Sequence, residues 1–126
     1  RIEALTMVDM ARKEILPAVE SYVSSLAAAA AAKKTVDAEL PCGYETKKLR
    51  RLSSLVDTID SRVDALEEKL VRLDTLQDLT EEAAFIRDEL IPAMGQLRAA
   101  ADEAETQTAA SCWPFPTYGD LLFGVK

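Results

Sequence analysis

The strongest constraint on the fold is a set of apolar residues that recur at alternating spacings of three and four in the middle of the sequence. Such spacing marks the a and d positions of a heptad repeat, and the positions between them are largely charged or small and polar. We therefore predict an amphipathic helix over residues 46–76, with Thr46 as its N-cap and Leu55 widening its buried stripe. The apolar positions are Leu49, Leu52, Val56, Ile59, Val63, Leu66, Leu70 and Leu73.

Two further helices are predicted, one on each side of this segment. The first covers about residues 1–40, and the charged Arg12 and Lys33 interrupt its apolar positions. Its run of alanine at 27–32 favours a narrow helical segment that a neighbouring helix can approach closely. The other covers about residues 79–109, with Asp78 and Thr80 as competing N-caps. The core positions expected in the first are Leu5, Val8, Ile15, Val19, Tyr22, Leu26, Ala29, Val36 and Leu40, and in the other Leu79, Ala83, Ile86, Leu90, Ala93, Leu97, Ala100 and Ala104, widened by Phe85, Ile91 and Met94.

Short connections between three long helices indicate an all-α fold, an up-down-up antiparallel three-helix bundle. The composition agrees, because 48% of the residues are hydrophobic but only 6% are aromatic, so that Ala, Leu, Val and Ile supply the apolar content. A chain of 126 residues is long enough for one domain with a core of its own. We expect residues 1–126 to form that single domain.

Pro17 and Pro92 lie inside the two outer helices and are expected to bend them. A proline in a helix interior lacks the N–H that would bond to the carbonyl four residues earlier, and its ring crowds that carbonyl. The flanking segments 14–19 and 89–94 resemble one another, each reading Glu, two aliphatic residues, Pro and Ala. The resemblance is either a weak internal repeat or a coincidence of core pattern.

The C-terminal tail, residues 111–126, differs from the rest of the chain. Pro114 and Pro116 exclude a helix and favour an extended path. A solvated tail would not expose so many large apolar side chains, so we expect the tail to dock on a surface. It either folds back as a cap on the bundle or contacts another domain or subunit. The candidate docking residues are Trp113, Phe115, Tyr118, Leu121, Leu122 and Phe123.

Composition and motifs argue against several function classes. The net charge of −7 makes nucleic acid or an anionic membrane an unlikely partner, and no apolar stretch is expected to cross a bilayer. The absence of His removes the usual general base and the His-containing zinc and di-iron sites, and no phosphate-binding glycine loop occurs. Most carboxylates fit a solvated helix face rather than a metal or acid/base pair, among them Asp57, Asp60, Asp64, Glu67 and Glu68. No catalytic, cofactor-binding or metal-binding residue is therefore predicted. Cys42 and Cys112 are expected at the same end of the bundle, where the default is two unpaired thiols and the alternative is a disulfide or a shared redox role.

Two helical segments and the tail carry a resemblance to a known family. They read Glu14-Ile15-Leu16-Pro17-Ala18, then Ile91-Pro92-Ala93-Met94 with Leu97-Arg98, and finally Trp113-Pro114-Phe115-Pro116-Thr117-Tyr118-Gly119-Asp120-Leu121-Leu122-Phe123. Together they resemble the C-terminal end of type III glutamine synthetases, and the tail is the most specific part. The alanine run and the connection around Cys42 have no counterpart that we can match to that family.

The resemblance implies a large cytoplasmic parent enzyme that joins ammonia to glutamate, uses ATP and Mg or Mn ions, and assembles as stacked hexameric rings. Its active-site residues would lie in a preceding catalytic domain, so none is carried onto this chain. The start at Arg1 rather than Met agrees with a fragment of a longer protein. The implied role is packing on the catalytic domain or on neighbouring subunits, and removal of residues 111–126 is expected to weaken assembly. The alternative is a stand-alone coiled-coil adaptor, whereas a bundle enzyme with a buried metal site is disfavoured by the missing His.

Overall fold

The computed structural model describes residues 2–109 and 112–113 and confirms the all-α prediction. Three long helices follow one another: α1 covers Ile2–Val36, α2 covers Gly43–Leu73, and α3 covers residues 79–107. Helices α1 and α3 each contain one π-helical turn, at Ala11–Ile15 and at Ile86–Leu90. The predicted tail lies outside the described residues, apart from Cys112 and Trp113.

Contacts along α2 show that neighbouring helices run in opposite directions. Arg12 of α1 binds Glu67 of α2, and farther along α1 the ammonium of Lys33 binds Glu45 near the start of α2. Between α2 and α3, Lys69 binds Glu89 whereas Lys48 donates to the carbonyl of Gln107. In each pair, a residue in the earlier part of one helix contacts a residue in the later part of the neighbouring helix, or the reverse, which confirms the up-down-up antiparallel topology.

The core is centred on α2. Its heptad residues from Leu52 to Leu73 are buried except for the half-buried Val56, and Leu55 is buried beside them, as predicted. From the outer helices the core receives smaller side chains, and alanine is prominent among them because it lets a helix approach α2 closely. These residues are Ala4, Val8, Ala11, Ile15, Val19 and Leu26 of α1 and Leu90, Ala93, Leu97, Ala100 and Ala104 of α3.

Several predicted core positions are wrong, and all of them lie in the outer helices or the first connection. Each outer helix buries one face against α2, so that residues at the margin of its stripe face solvent. The end of α1 also extends beyond the end of α3, which exposes most of the alanine run at 27–32. The positions predicted as core but exposed are Leu5, Ala29, Val36, Leu79, Ala83 and Ile91, and Leu40 is only half-buried.

The helix boundaries differ from the predicted ones by a few residues. Helix α1 ends at Val36 rather than near 40 because Asp37 is extended and its carboxylate accepts from the N–H of Glu39. Helix α2 begins at Gly43, so the prediction of Thr46 as N-cap is wrong, and Thr46 N–H already bonds to the carbonyl of Cys42 at 2.9 Å.

Helices α2 and α3 also end a few residues before their predicted ends. Helix α2 ends at Leu73 rather than near 76, and α3 ends at Gln107 rather than near 109. At the start of α3, Asp78 is the N-cap and accepts from the N–H of Thr80, which decides between the two competing caps.

A π-helical turn precedes each helix-interior proline by the same offset. The N–H of Leu16 bonds to the carbonyl of Ala11 five residues earlier, and that of Ile91 bonds to the carbonyl of Ile86. A proline cannot donate to the carbonyl four residues before it and crowds that carbonyl, so a wider turn relieves the strain. The two similar segments thus adopt the same backbone device, while bends at Pro17 and Pro92 remain predictions.

Helices α1 and α3 both pack along α2 and approach each other much less closely. The bundle is therefore not evenly packed around a threefold centre, because α2 is the central element and the outer helices flank it. An open groove remains between α1 and α3.

Candidate interaction surfaces

The first candidate surface consists of exposed apolar side chains in one half of the bundle. This half holds the N-termini of α1 and α3 and the C-terminus of α2. Among the described residues it contains Ile2, Leu5, Val71, Leu79 and Ile91, exposed by 55–80%. Within the described ranges 2–109 and 112–113, the other half has only Val36 and Tyr44 in this class. We call the set Ile2, Leu5, Val71 and Leu79 the apolar end, and its exposure is typical of a surface that contacts another protein.

The second candidate surface is the groove between α1 and α3. Its lower part encloses about 450 Å³ beside Met7, Ile91 and Met94, and its upper part encloses about 240 Å³ beside Met10 and Ile15. Met7 and Arg98 line both parts, which makes the two parts continuous. We call this the methionine groove, because it is lined by all three methionines of the sequence. Methionine side chains adapt their shape, so they are common at docking surfaces.

Ion pairs occupy the charged positions that interrupt the heptad pattern of α1. Arg12 donates from both terminal nitrogens to the Glu67 carboxylate at 2.8 Å, and also to Asp64 at 2.9 Å. These hydrogen bonds raise the pKa of Arg12 and lower that of Glu67. The fork joins α1 to α2, so two carboxylates of the predicted solvated face are partners of a cation on the neighbouring helix.

Lys33 and Glu45 form the second such pair, at 2.8 Å, beside the first connection. The side chain of Glu45 is only 12% exposed. The hydrogen bond from Lys33 lowers the pKa of Glu45, and it raises the pKa of Lys33 itself. Because Glu45 lies in the first turn of α2, its negative charge also suits the positive end of the helix dipole.

Glu45→Gln is expected to lower thermal stability near neutral pH and to change it less in acid. The folded-state pKa of Glu45 lies below its ordinary value of 4.5, so its contribution to stability is present above that value. The contribution is lost as the pH falls through the lowered pKa. The melting temperatures of wild type and variant should therefore differ at about pH 7 and become similar at about pH 3. An equal difference in melting temperature at the two pH values would contradict the stabilising role of the Lys33–Glu45 pair. The control is Glu39→Gln, because Glu39 is exposed.

Lys48 and the rings of Tyr22 and Tyr44 form a cluster in the opposite half of the bundle. The Lys48 ammonium lies 5.9 Å from the ring centre of Tyr22 and 6.0 Å from that of Tyr44, and it donates to the Gln107 carbonyl at 2.7 Å. Burial and a hydrogen bond with Tyr44 raise the pKa of Tyr22, and Cys112 adds a smaller effect. Lys48 thus links the interior of α1 and the C-terminal end of α3 to the first turns of α2.

Of the predicted docking residues of the tail, Trp113 lies within the described residues. Trp113 is half-buried and packs against the core. Thr108, where the chain leaves α3, is buried with 7% exposure. Phe115, Tyr118 and the remaining docking residues at 121–123 lie outside the described residues. Cys42 and Cys112 are both free thiols, as predicted.

Sequence reasoning missed the methionine groove. Met7 and Met10 are three residues apart and therefore share a helix face, and Met94 was assigned to the widened core stripe of α3. The shared helix face of Met7 and Met10 is visible in the sequence. The sequence pattern alone, however, does not show that α1 and α3 are separated by a groove. Within residues 2–109 and 112–113, no group of three or more Cys, Asp or Glu side chains is arranged to hold a metal ion.

Helix α1 corrects one expectation from the sequence. In the part of the chain that the structure describes, it is the one helix long and apolar enough to cross a membrane by length and composition. The expectation that no stretch reaches this limit was wrong because alanine counts as apolar despite its small side chain. Only 17% of the most apolar window is buried, and core helices of soluble proteins pass the same test.

The fold and these surfaces define an all-α bundle with paired surface charges and two apolar candidate surfaces. Comparison with known proteins gives a more particular likeness. The chain is 27% identical to a glutamine synthetase of Butyrivibrio fibrisolvens over 125 residues, which are 99% of this chain and 18% of that protein. It is 24% identical to a type-3 glutamine synthetase of Dictyostelium discoideum over 133 residues, 98% of this chain and 17% of that protein.

The resemblance to type III glutamine synthetases is therefore confirmed over nearly the whole chain. The chain spans less than a fifth of the length of these relatives. No protein-family model matches the chain. No solved structure matches it.

Proposed function

We propose that this chain is the non-catalytic C-terminal helical domain of a type III glutamine synthetase. One relative named glutamine synthetase and one named type-3 glutamine synthetase match almost all of the chain and a small share of their own length, which supports a domain of a larger protein. The tail at 113–123 supports the C-terminal position, because it is the most specific part of the resemblance. The parent protein would join ammonia to glutamate with ATP and a divalent metal ion, in the cytoplasm.

The proposed role of the domain is packing and assembly within the parent oligomer. The observation that carries this role is the apolar end, whose four side chains from three helices are exposed in the isolated chain. Exposed apolar area is unfavourable in water, and its coverage by a catalytic domain or a neighbouring subunit would stabilise the assembly. Active-site residues, ATP and metal ions would belong to the rest of the parent.

The test is a matched pair of substitutions in the full-length parent enzyme. Val71→Lys places a charge in the apolar end, and Val36→Lys places the same charge at the opposite half. Both valines are exposed, by 62% and 82%, and both lie in the last turn of a helix, where lysine suits the helix dipole. An unpaired charge buried at an interface costs roughly 2–5 kcal/mol, so Val71→Lys should weaken association by about 30-fold or more.

Light scattering across a dilution series measures this effect, and Val36→Lys should keep the wild-type mass. The activity of the fully assembled fraction should be the same in both variants. Leu79→Glu is a second variant that places a charge in the apolar end. If Val71→Lys and Leu79→Glu both assemble like the wild type, the assembly role is contradicted.

The alternative function is a stand-alone coiled-coil adaptor that binds partner helices. The nearly complete burial of the α2 heptad face within this chain argues against it, because that face is not available to a partner. Sequencing the coding region upstream of Arg1 separates the two functions directly. A glutamine synthetase catalytic domain precedes this chain under the proposal and is absent under the alternative.

A further inference from the structure

We infer that the lower part of the methionine groove is a self-association surface, on which a second copy of this chain docks face to face and antiparallel. The partner copy uses the same residues of α1 and α3, so a twofold axis closes the contact and the product is a dimer. The inference goes beyond the proposed function, because it concerns the groove rather than the apolar end and does not depend on the identity of the parent protein.

The walls of this part of the groove carry apolar side chains that the bundle leaves uncovered. Ile91 is 57% exposed although it fits the helical period of α3, and Met7 and Met94 are half-buried beside it. Within the described part of the chain no further helix lies over them, because α1 and α3 both pack on α2. Contact with an identical face would remove this apolar area from water on both copies.

Gly95, in the α3 wall of the groove, is not explained by packing within the chain. Glycine is among the least favourable residues in a helix interior. An added Cβ at Gly95 would meet no heavy atom of the described residues within 4 Å, so the fold itself does not require the missing side chain. A glycine on a helix surface does, however, let a second backbone approach closely. Gly95 follows Met94 directly, so it indicates where the neighbouring copy comes closest.

The two charged residues of this part make the surface complementary to itself. Glu3 of α1 and Arg98 of α3 both line it, both are exposed, and neither forms an ion pair within the part of the chain that the structure describes. Glu3 lies four residues before Met7, and Arg98 lies four residues after Met94. Because α1 and α3 are parallel, each charge lies about 6 Å along the bundle from the methionine of its own helix, in opposite directions.

An antiparallel arrangement about a twofold axis at the methionines reverses this order in the partner copy. Glu3 of each copy then lies at the level of Arg98 of the other, so two opposite-charge pairs flank an apolar centre, as is common in protein interfaces. A parallel arrangement would instead bring like charges to the same level. The charges therefore favour the antiparallel dimer.

Sedimentation equilibrium of chain 1–126 tests the inference. A face two helices wide is small, so the wild type should pass from monomer to dimer over about 5–500 µM. Glu3→Arg and Arg98→Glu should each weaken dimerisation by about tenfold, since each places like charges opposite one another at both ends of the contact. An equimolar mixture of the two variants should associate at least as tightly as the wild type, because opposite charges then face each other at both ends.

Gly95→Leu tests the contact by shape. It should weaken dimerisation by about tenfold because it overfills the closest approach, whereas the melting temperature of the monomer should not fall. Ala99→Leu is the matched control, since it adds the same side chain to α3 outside the groove and should leave dimerisation unchanged. Val71→Lys should also leave it unchanged, which separates this contact from the apolar end.

Three results would overturn the inference. One is a wild-type chain that stays monomeric over the whole concentration range, as expected if another segment of the chain or a different protein covers the groove. Another is a mixture of the two charge variants that associates no better than either variant alone. The third is loss of dimerisation in Val71→Lys but not in Gly95→Leu, which would assign the contact to the apolar end.

Discussion

Leu66→Ala is expected to lower the free energy of unfolding of the chain by about 2–5 kcal/mol. Leu66 is 0% exposed and lies near the middle of the α2 face that both outer helices contact. The substitution removes buried methyl groups and leaves a cavity between helices that are already held apart by neighbouring leucines. Urea denaturation followed by circular dichroism measures the change.

Val71→Ala is the matched control for this prediction. It removes a similar side chain from the same helix, five residues farther along, but Val71 is 62% exposed. Its effect should stay within about 0.5 kcal/mol. Equal losses for the two variants would mean that α2 is not the central element of the fold.

The second large effect is expected from overpacking: Ala104→Leu should destabilise the chain by about 1–3 kcal/mol. Ala104 is 0% exposed and lies on the face of α3 that packs against α2, where small side chains permit a close approach. A larger residue there must displace α3 or adopt a strained rotamer. Thermal unfolding of the variant is the measurement.

Ala99→Leu provides the comparison for Ala104→Leu. Ala99 lies on the same helix but is exposed, so the substitution adds the same side chain without a clash. Leucine and alanine are both good helix formers, and the expected change is small. A stable Ala104→Leu variant would show that α3 is not held at the short distance that its buried alanines imply.

The apolar end and the methionine groove are separate surfaces of the bundle. The groove lies along one side, between α1 and α3, whereas the apolar end lies at the half that holds the N-termini of α1 and α3, where Leu79 is 80% exposed. Under the proposed function, another domain or subunit covers the apolar end.

The helical class, the number of helices and the buried face of α2 were all predictable from the pattern of apolar residues. That face was predictable because a heptad repeat fixes which residues share one side of a helix, and α2 is contacted from both sides. The helix-interior positions of Pro17 and Pro92 were equally local properties. The start of α3 was predictable only as a choice between Asp78 and Thr80, and the structure selects Asp78.

Which apolar residues of the outer helices are buried depends on tertiary packing and did not follow from the pattern. Leu5 and Ile91 fit the helical period as well as Val8 and Leu90 do, yet they are exposed because α1 and α3 each meet α2 on one face. The start of α2 at Gly43 places Glu45 in its first turn, where the carboxylate pairs with Lys33 of another helix, a contact that the pattern along one helix does not show. A periodic pattern states which residues lie together on one helix, whereas the separation of α1 from α3, and hence the groove between them, depends on the sizes of side chains that meet across helices.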